Sequence, residues 1–347
     1  MFSFSKTAGV LGIDIGTANV KAVQVRKSAG KTILERYGLV NVIYPTESQA
    51  KFDAVKQTAE ILGQLYEKAG FTTKKVSLSV PSNVAFVSVL NFPPMPEKEM
   101  QKSVEYQAKK YIPLPISEVN IGWQILEETL LKSPHKDAIP EIKVLLTAVP
   151  RNVINNYLRV MELVGFEVAA LEIESLSLIR SLVDAEAKDG ILIIDIGAKS
   201  TILSYVHQGH LMATRHLTIG GDSITSSIAN SMGISFERAE QMKRAVLAPN
   251  VVSPAAQISR NVVELIRSEV QQFMRMTENE SNGIARIILT GGGSKMPGLA
   301  EKFSALGPKV EFGNPLAKLN FPPELENKLV MLAPQLSVAC GLALRQE

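Results

Sequence analysis

The sequence predicts a two-lobed α/β protein, and three observations carry that reading. The tetrapeptide Ile-Asp-Ile-Gly occurs twice, at residues 13–16 and 194–197. Each copy sits inside a strand, tight turn, strand unit. Strand-like and helix-like segments alternate through the rest of the chain. The two copies are too far apart for a solenoid, so they predict two related lobes that each open with the same hairpin.

The first copy follows Val10-Leu11-Gly12, the second Ile191-Leu192-Ile193. The turns are Thr17-Ala18-Asn19 and Ala198-Lys199-Ser200, and the second strands run Val20 to Val25 and Thr201 to Val206. Between the hairpins, Phe52, Val55, Ala59, Leu62, Leu65 and Tyr66 recur at helical spacing, which predicts a helix over 51–69. Val76 to Val80 alternates as a half-buried strand does. The proline-rich run Phe92 to Pro96 breaks the pattern, and Pro96 with Glu97 and Glu99 suits a helix start. Met100, Val104, Ala108 and Tyr111 then share one face of a helix that Ile112-Pro-Leu-Pro115 ends. Residues 132–140 read as a surface loop, Lys143 to Val149 as a strand and Val153 to Val164 as a helix. In the second half, Ala256 to Met276 is amphipathic, with Val262, Val263, Ile266, Val270 and Phe273 on one side. A polar loop at 277–283, a buried strand at 284–290 and a helix at 297–306 follow. The expected organisation is a lobe 1 core at 1–88 and 169–190 and an inserted α+β subdomain at 89–168. Lobe 2 follows, with a core at 191–225 and 284–347 and a further subdomain at 226–283.

Composition narrows the function. The 347 residues are 46% hydrophobic and 20% charged, as in a globular protein with a large core. The net charge is +3 and the basic clusters are pairs such as Lys74-Lys75 and Lys109-Lys110, which argues against a nucleic-acid partner. The one cysteine, Cys340, lies in an apolar stretch and reads as a small buried hydrophobe. The opening Met-Phe-Ser-Phe-Ser-Lys lacks the pattern of a signal peptide, and the apolar run 329–344 is broken by Pro334 and shorter than the ~20 residues of a membrane span. The expectation is a cytoplasmic protein.

The hairpin turns have a phosphate-binding composition. Gly16-Thr17-Ala18-Asn19 and Gly197-Ala198-Lys199-Ser200 are small enough for a phosphate chain to reach the backbone N–H groups. Asp14 and Asp195 repel phosphate unless Mg²⁺ lies between, a hard cation that takes oxygen ligands and keeps its waters. Lys21, seven residues after Asp14, is placed to reach a β- or γ-phosphate. Either hairpin alone is also ordinary turn chemistry; their repetition favours a site. Gly291-Gly292-Gly293 joins a buried strand to a helix, either as a plain connection or as bare backbone for a base to pack on. Glu240 and Lys243 stand three apart on a helix and, taken alone, form a surface ion pair. His207, His210 and His216 lack cysteine or acidic companions at ligand spacing, and no Gly-x-Ser-x-Gly elbow is present.

In order, Gly-Ile-Asp-Ile-Gly-Thr-Ala-Asn-Val-Lys (12–21), Ile-Asp-Ile-Gly (194–197), Glu-Gln-Met-Lys (240–243) and Leu-Thr-Gly-Gly-Gly-Ser (289–294) resemble the actin, Hsp70, MreB and FtsA superfamily. There they are the phosphate-1, phosphate-2, ribose and adenosine motifs. The resemblance implies a bilobed actin-like ATPase fold of ribonuclease-H-like halves with an FtsA-like insert. Within the superfamily the chain resembles the PilM family of type IV pilus assembly. Phe92 to Pro96, Glu97 to Tyr111 and Ile112 to Pro115 carry that likeness. Ala148-Val-Pro150, Val164-Gly165-Phe166 and Glu172-Ile-Glu174-Ser-Leu add to it.

The resemblance implies roles. Asp14 and Asp195 would hold Mg²⁺ through water, and Lys21 would touch phosphate. Glu240 and Lys243 would reach the ribose or adenine, and Gly291, Gly292, Gly293 and Ser294 would line the base. Glu174 matches the acidic residue that positions water or metal in hydrolysing relatives; otherwise it is a surface charge on a connecting helix. The second turn departs from the pattern, with Ala198 and Lys199 where many relatives carry glycines, so slow turnover of ATP is expected. The implied partner is PilN, an inner-membrane protein whose cytoplasmic N-terminal tail would dock between lobe 1 and the insert and hold the chain at the membrane. Other pilus-machinery ATPases and self-association are further implied contacts. The alternatives are a small-molecule kinase, for which no substrate base is evident, and an FtsA-like filament former.

Overall fold

The computed structural model describes residues 9–42, 53–129, 141–246, 253–277, 283–296 and 298–345. The loop expected at 132–140 and most of that at 277–283 lie outside these.

Two five-stranded sheets share one plan. In the first, β1 (Val10–Ile15), β2 (Asn19–Ser28), β3 (Lys31–Asn41), β4 (Lys75–Val80) and β8 (Glu167–Ile173) stand in the order β3-β2-β1-β4-β8. In the second, β9 (Gly190–Ile196), β10 (Thr201–His207), β11 (His210–Leu217), β12 (Arg286–Thr290) and β13 (Lys309–Phe312) stand as β11-β10-β9-β12-β13. In each sheet the repeated hairpin is antiparallel and its first strand pairs parallel with the strand beyond. The central strands are apolar because both faces are covered. Ile191, Leu192, Ile193, Ile194 and Ile196 are all buried. On the first sheet, α1 (Ala54–Ala69) buries Thr58, Ala59, Leu62 and Leu65. Asp53 caps it by accepting from Lys56 N, and Gly70 ends it at φ 67°. On the second sheet, α7 (Pro254–Thr277) buries the expected Val262, Val263, Ile266, Val270 and Phe273.

The inserted unit is smaller than the sequence predicts. β5 (Phe86–Phe92), β6 (Val119–Thr129) and β7 (Glu141–Pro150) form a separate sheet covered by α2 (Glu97–Tyr111). The expected boundary at 168 does not hold. Residues of α3 (Arg151–Val164) join the lobe 1 core and β8 pairs with β4. On α2, Met100, Val104 and Ala108 are buried as expected, but Tyr111 is exposed and Ile112 takes its place in the core. The insert is not isolated. One apolar cluster joins Leu126, Leu145, Val87 and Val89 of the insert to Val80 and Ile173 of lobe 1 and Leu211 and Met212 of lobe 2.

The end of the chain also departs from expectation. Residues beyond 314 pack largely on lobe 1, while Val338 and Leu342 still join an apolar cluster with Ile191, Ile193, Val206 and Ile288 of lobe 2. Leu34 N donates to Asn320 O at 2.9 Å and Asn320 N to Thr32 O at 2.8 Å. α9 (Glu326–Ala343) places Leu329, Leu336, Ala339 and Cys340 in a core with Val23, Val25 and Leu34. Cys340 is buried, and burial pushes its thiol up to about 12. α9 also lies directly on α4 (Glu174–Leu182), the helix that runs from lobe 1 into lobe 2. A Cβ at Gly341 would run into Ser177 O, so only glycine permits this approach.

Glu172 is buried beside that crossing. Arg180 donates to its two oxygens at 2.5 and 2.9 Å and to Gly341 O at 2.9 Å, Ser177 Oγ donates at 2.7 Å, and Arg345 completes the ion pairs. Burial opposes ionisation of Glu172, but the Arg180 hydrogen bonds and charge prevail and hold its carboxyl below the usual range. A carboxyl depressed in the folded state contributes stability above its unfolded value, about 4.3, and loses it as pH falls through the folded value. The stability gap between the native chain and Glu172→Gln, read by urea unfolding, is therefore expected to be constant above about pH 5 and to close in acid. A gap that widens in acid would contradict the assignment.

Candidate functional site

A cleft of about 800 Å³ opens between the lobes, and residues from both hairpins line it. The hairpin turns close alike: Gly16 N donates to Asn19 O at 3.0 Å and Gly197 N to Ser200 O at 2.8 Å. Asp14, Gly16, Thr17, Ala18, Asn19 and Lys21 come from the first, and Asp195, Gly197, Ala198 and Lys199 from the second. Glu174, Glu240, Lys243 and Gly291 to Gly293 complete the predicted set. Ser294 is the exception. It is buried with its hydroxyl donating to Gly291 O at 2.8 Å, so it braces the turn and does not line the cleft.

The two hairpins differ in charge. Asp14 faces Lys21 across β1 and β2, and their side chains pair at 2.8 Å. At the matching register Asp195 faces Ile202, which has no charge to offer. Burial pushes Asp195 up to about 6, with Asp14 adding and Lys21 opposing. Glu174, at the first turn of α4, accepts from Ser82 N at 2.9 Å. Burial and then Asp14 push it up to about 8. It is no surface charge. Burial disfavours the Lys21 ammonium, yet the charges of Asp14, Asp195 and Glu174 raise its pKa. Three carboxyl groups thus surround one ammonium, an excess that protons or a cation must balance.

The second hairpin rests on α5 (Gly221–Met232). Gly221 N donates to Gly197 O at 3.0 Å and Asp222 N to Ala198 O at 2.7 Å. A Cβ at Gly220 would run into Ala198 O and Ser200 N, which explains the Gly220-Gly221 pair that motif reading passed over. On α6 (Phe236–Val246), Glu240 and Lys243 pair at 2.5 Å. Lys243 is buried and also donates to Gly221 O at 3.1 Å and Thr225 Oγ1 at 2.9 Å, while Thr225 donates to Glu240 at 2.6 Å. This is a built wall, not a loose surface pair. Burial opposes ionisation of Glu240, but the Lys243 and Thr225 hydrogen bonds hold its carboxyl low.

The glycine turn lies on the end of β9. Gly293 N donates to Ile196 O at 2.8 Å, and a Cβ at Gly291, where φ is 84°, would run into Asp195 Oδ1 and Ile196 O. Further wall residues are Pro81, Asn83, His216, Thr218, Lys295 and Gln335. They stand outside the motifs and come from loops and strand ends that only folding brings together. Of His207, His210 and His216, the last reaches the cleft, while His207 and His210 are cross-strand partners beside the β10–β11 turn.

A family model described as type IV pilus assembly protein PilM matches residues 12–347. A chain of a PilM–PilN type IV pilus biogenesis complex matches at a TM-score of 0.83 and 25% identity, covering 97% of this chain and 98% of that one. MreB5 of Spiroplasma citri bound to ADP matches at a TM-score of 0.52 and 14% identity, over 96% and 95% of the two chains. In sequence, cell division protein FtsA of Enterococcus faecalis is 23% identical over 338 residues, 86% of this chain and 76% of that protein. The fold is the bilobed actin-like one.

Close approach makes Gly291 irreplaceable. Gly291→Ala is expected to cost about 1–3 kcal/mol in urea unfolding, from backbone strain and overpacking against Asp195. Gly292→Ala is the control, because a Cβ there meets nothing closer than Gln335 Cγ at 3.8 Å. Equal stability of the two variants would contradict the packing described.

Proposed function

The chain belongs to the PilM family of type IV pilus assembly proteins, and from that premise we propose that it is an ATP-binding scaffold of the pilus machinery. The cleft carries the proposal. Its two hairpins and the start of α4 bring Asp14, Asp195 and Glu174 near the Lys21 ammonium, and a glycine turn beside Asp195 and the Glu240–Lys243 pair line the same cleft. A volume of about 800 Å³ suits a small-molecule site. In this reading the turn amides at 17–18 and 198–199 face the phosphates and Lys21 contacts them. Glu240 and Lys243 bound the ribose, and bare backbone at Gly291 to Gly293 bounds the base. Mg²⁺ would be held through water by Asp14 and Asp195, its shell completed by phosphate oxygens. Glu174 would position water or the metal. The bulk of Ala198 and Lys199 favours binding over rapid hydrolysis.

For the partner we propose the short N-terminal tail of an inner-membrane PilN-type protein, seated between lobe 1 and the insert, with this chain at the cytoplasmic face. The solved PilM–PilN complex supports the partner. Among the described residues no helix is long and apolar enough to cross a membrane, which suits attachment through another protein. Because the insert packs on both lobes, tail and nucleotide would bias the same lobe angle. A coupling of ~1–3 kcal/mol is expected, and it must be reciprocal.

Two titrations test this. Asp195→Ala is expected to lower ATP affinity about tenfold or more, ~1.4 kcal/mol, with unfolding stability retained. An unchanged affinity would make the repeat purely architectural. Saturating tail peptide is expected to change ATP affinity by the same factor that ATP changes peptide affinity. Equal ATP affinity with and without peptide would leave the nucleotide uncoupled from docking.

A further inference from the structure

Pro334 sits inside α9, eight residues past its start at Glu326. A proline has no N–H, so the carbonyl of Val330, four residues earlier, loses its helical donor. The structure supplies another. Lys295 Nζ donates to Val330 O at 3.0 Å and to Met331 O at 3.0 Å. Pro334 O in turn accepts from Gly291 N at 3.0 Å and from Thr290 Oγ1 at 3.1 Å, while Thr290 and Ser337 share a hydrogen bond of 2.7 Å. Every donor from the glycine turn belongs to lobe 2, since β12 pairs with β9. Every acceptor belongs to α9, which packs in the lobe 1 core through Leu329, Leu336, Ala339 and Cys340 and on lobe 2 through Val338 and Leu342. The proline therefore opens a seam through which the glycine turn hydrogen-bonds to a helix shared by the two lobes. Lys295, Pro334 and Gln335 all line the cleft at that seam.

We propose that Lys295 is a positioning residue: its ammonium takes the place of the amide hydrogen that Pro334 lacks and so ties the glycine turn of lobe 2 to α9, the helix that packs on both lobes. The tie fixes the wall of the cleft assigned above to the nucleotide base. Its effect on affinity rests on that nucleotide reading; the tie itself does not. A lysine stem crossing an open gap suits the role, because two carbonyls one residue apart accept from a single ammonium, and a methionine of similar length donates nothing.

The experiment uses the full chain with Lys295→Met, Lys295→Arg and the double variant Lys295→Met/Pro334→Ala. Alanine at 334 returns a helical N–H to Val330 O but cannot rebuild the bond from Lys295 beside the glycine turn to α9. Lys295→Met is expected to lower ATP affinity about three- to tenfold, the range of one charged hydrogen bond partly exposed to water. Lys295→Arg keeps the donors and is expected to bind within about twofold of the native chain. The double variant is expected to recover unfolding stability without recovering affinity. Recovery of both, or native affinity in Lys295→Met, would reduce Lys295 to a helix cap and overturn the proposal. Amide hydrogen exchange on the nucleotide-free protein separates this from the nucleotide reading. Lys295→Met is expected to speed exchange at Gly291, whose amide bonds Pro334 O. Unchanged exchange at Gly291 would overturn the tie whether or not the chain binds ATP.

Discussion

The arrangement depends on one backbone contact. Glycine at 341 lets α9 lie on Ser177 of α4 with no side chain between. α4 starts at the cleft with Glu174 and leads into lobe 2; α9 lies on β1, where a Cβ at Gly12 would run into Ala339 O. The crossing therefore sets how far the first hairpin stands from the second. Glu172 and its arginines lock the same place electrostatically, with one buried carboxylate gathering β8, α4 and the chain end. Breaking such a buried pair by removing one partner is costly, because it leaves the other charge buried and uncompensated.

From that crossing the cleft inherits its chemistry. The two sheets have matching strand orders, yet their hairpins are not electrically equivalent. Lys21 answers Asp14, and Ile202 leaves Asp195 without a cross-strand cation. Burial then makes the surplus of carboxyl groups costly to ionise, as Asp195 at about 6 and Glu174 at about 8 record. In the proposed function, a divalent cation offsets that cost. The amides of α5 stabilise the second turn by bonding its carbonyls, so that turn is rigid before any ligand enters.

Much of this was legible in the sequence where function demands a local backbone. The paired Ile-Asp-Ile-Gly hairpins, the glycine turn and Glu240 with Lys243 all reach the cleft, because a tight turn or a close approach restricts which residues can stand there. Ser294 was misplaced since nothing local tells an inward hydroxyl from an outward one. The tertiary assignments were harder. α9 is apolar around most of its circumference, so its pattern predicts burial without naming the sheet it covers, and its return to lobe 1 follows from the Asn320 bonds to Thr32 and Leu34. The end of the insert was hidden likewise. Pro150 to Gly165 reads as one more helix, and the pairing of β8 with β4 assigns it to lobe 1. Thr225, Gly220 and Lys295 act through partners far along the chain, which no spacing rule connects.

The central claim is that this cleft binds ATP with a divalent cation to balance its carboxyl groups. Calorimetric titration of ATP into the full chain, with excess Mg²⁺ and again with a chelator, tests it most directly. The account predicts saturable binding with Mg²⁺ and an affinity at least about tenfold weaker without it, a difference of ~1.4 kcal/mol. Absence of binding in both titrations, or the same affinity in both, would contradict it.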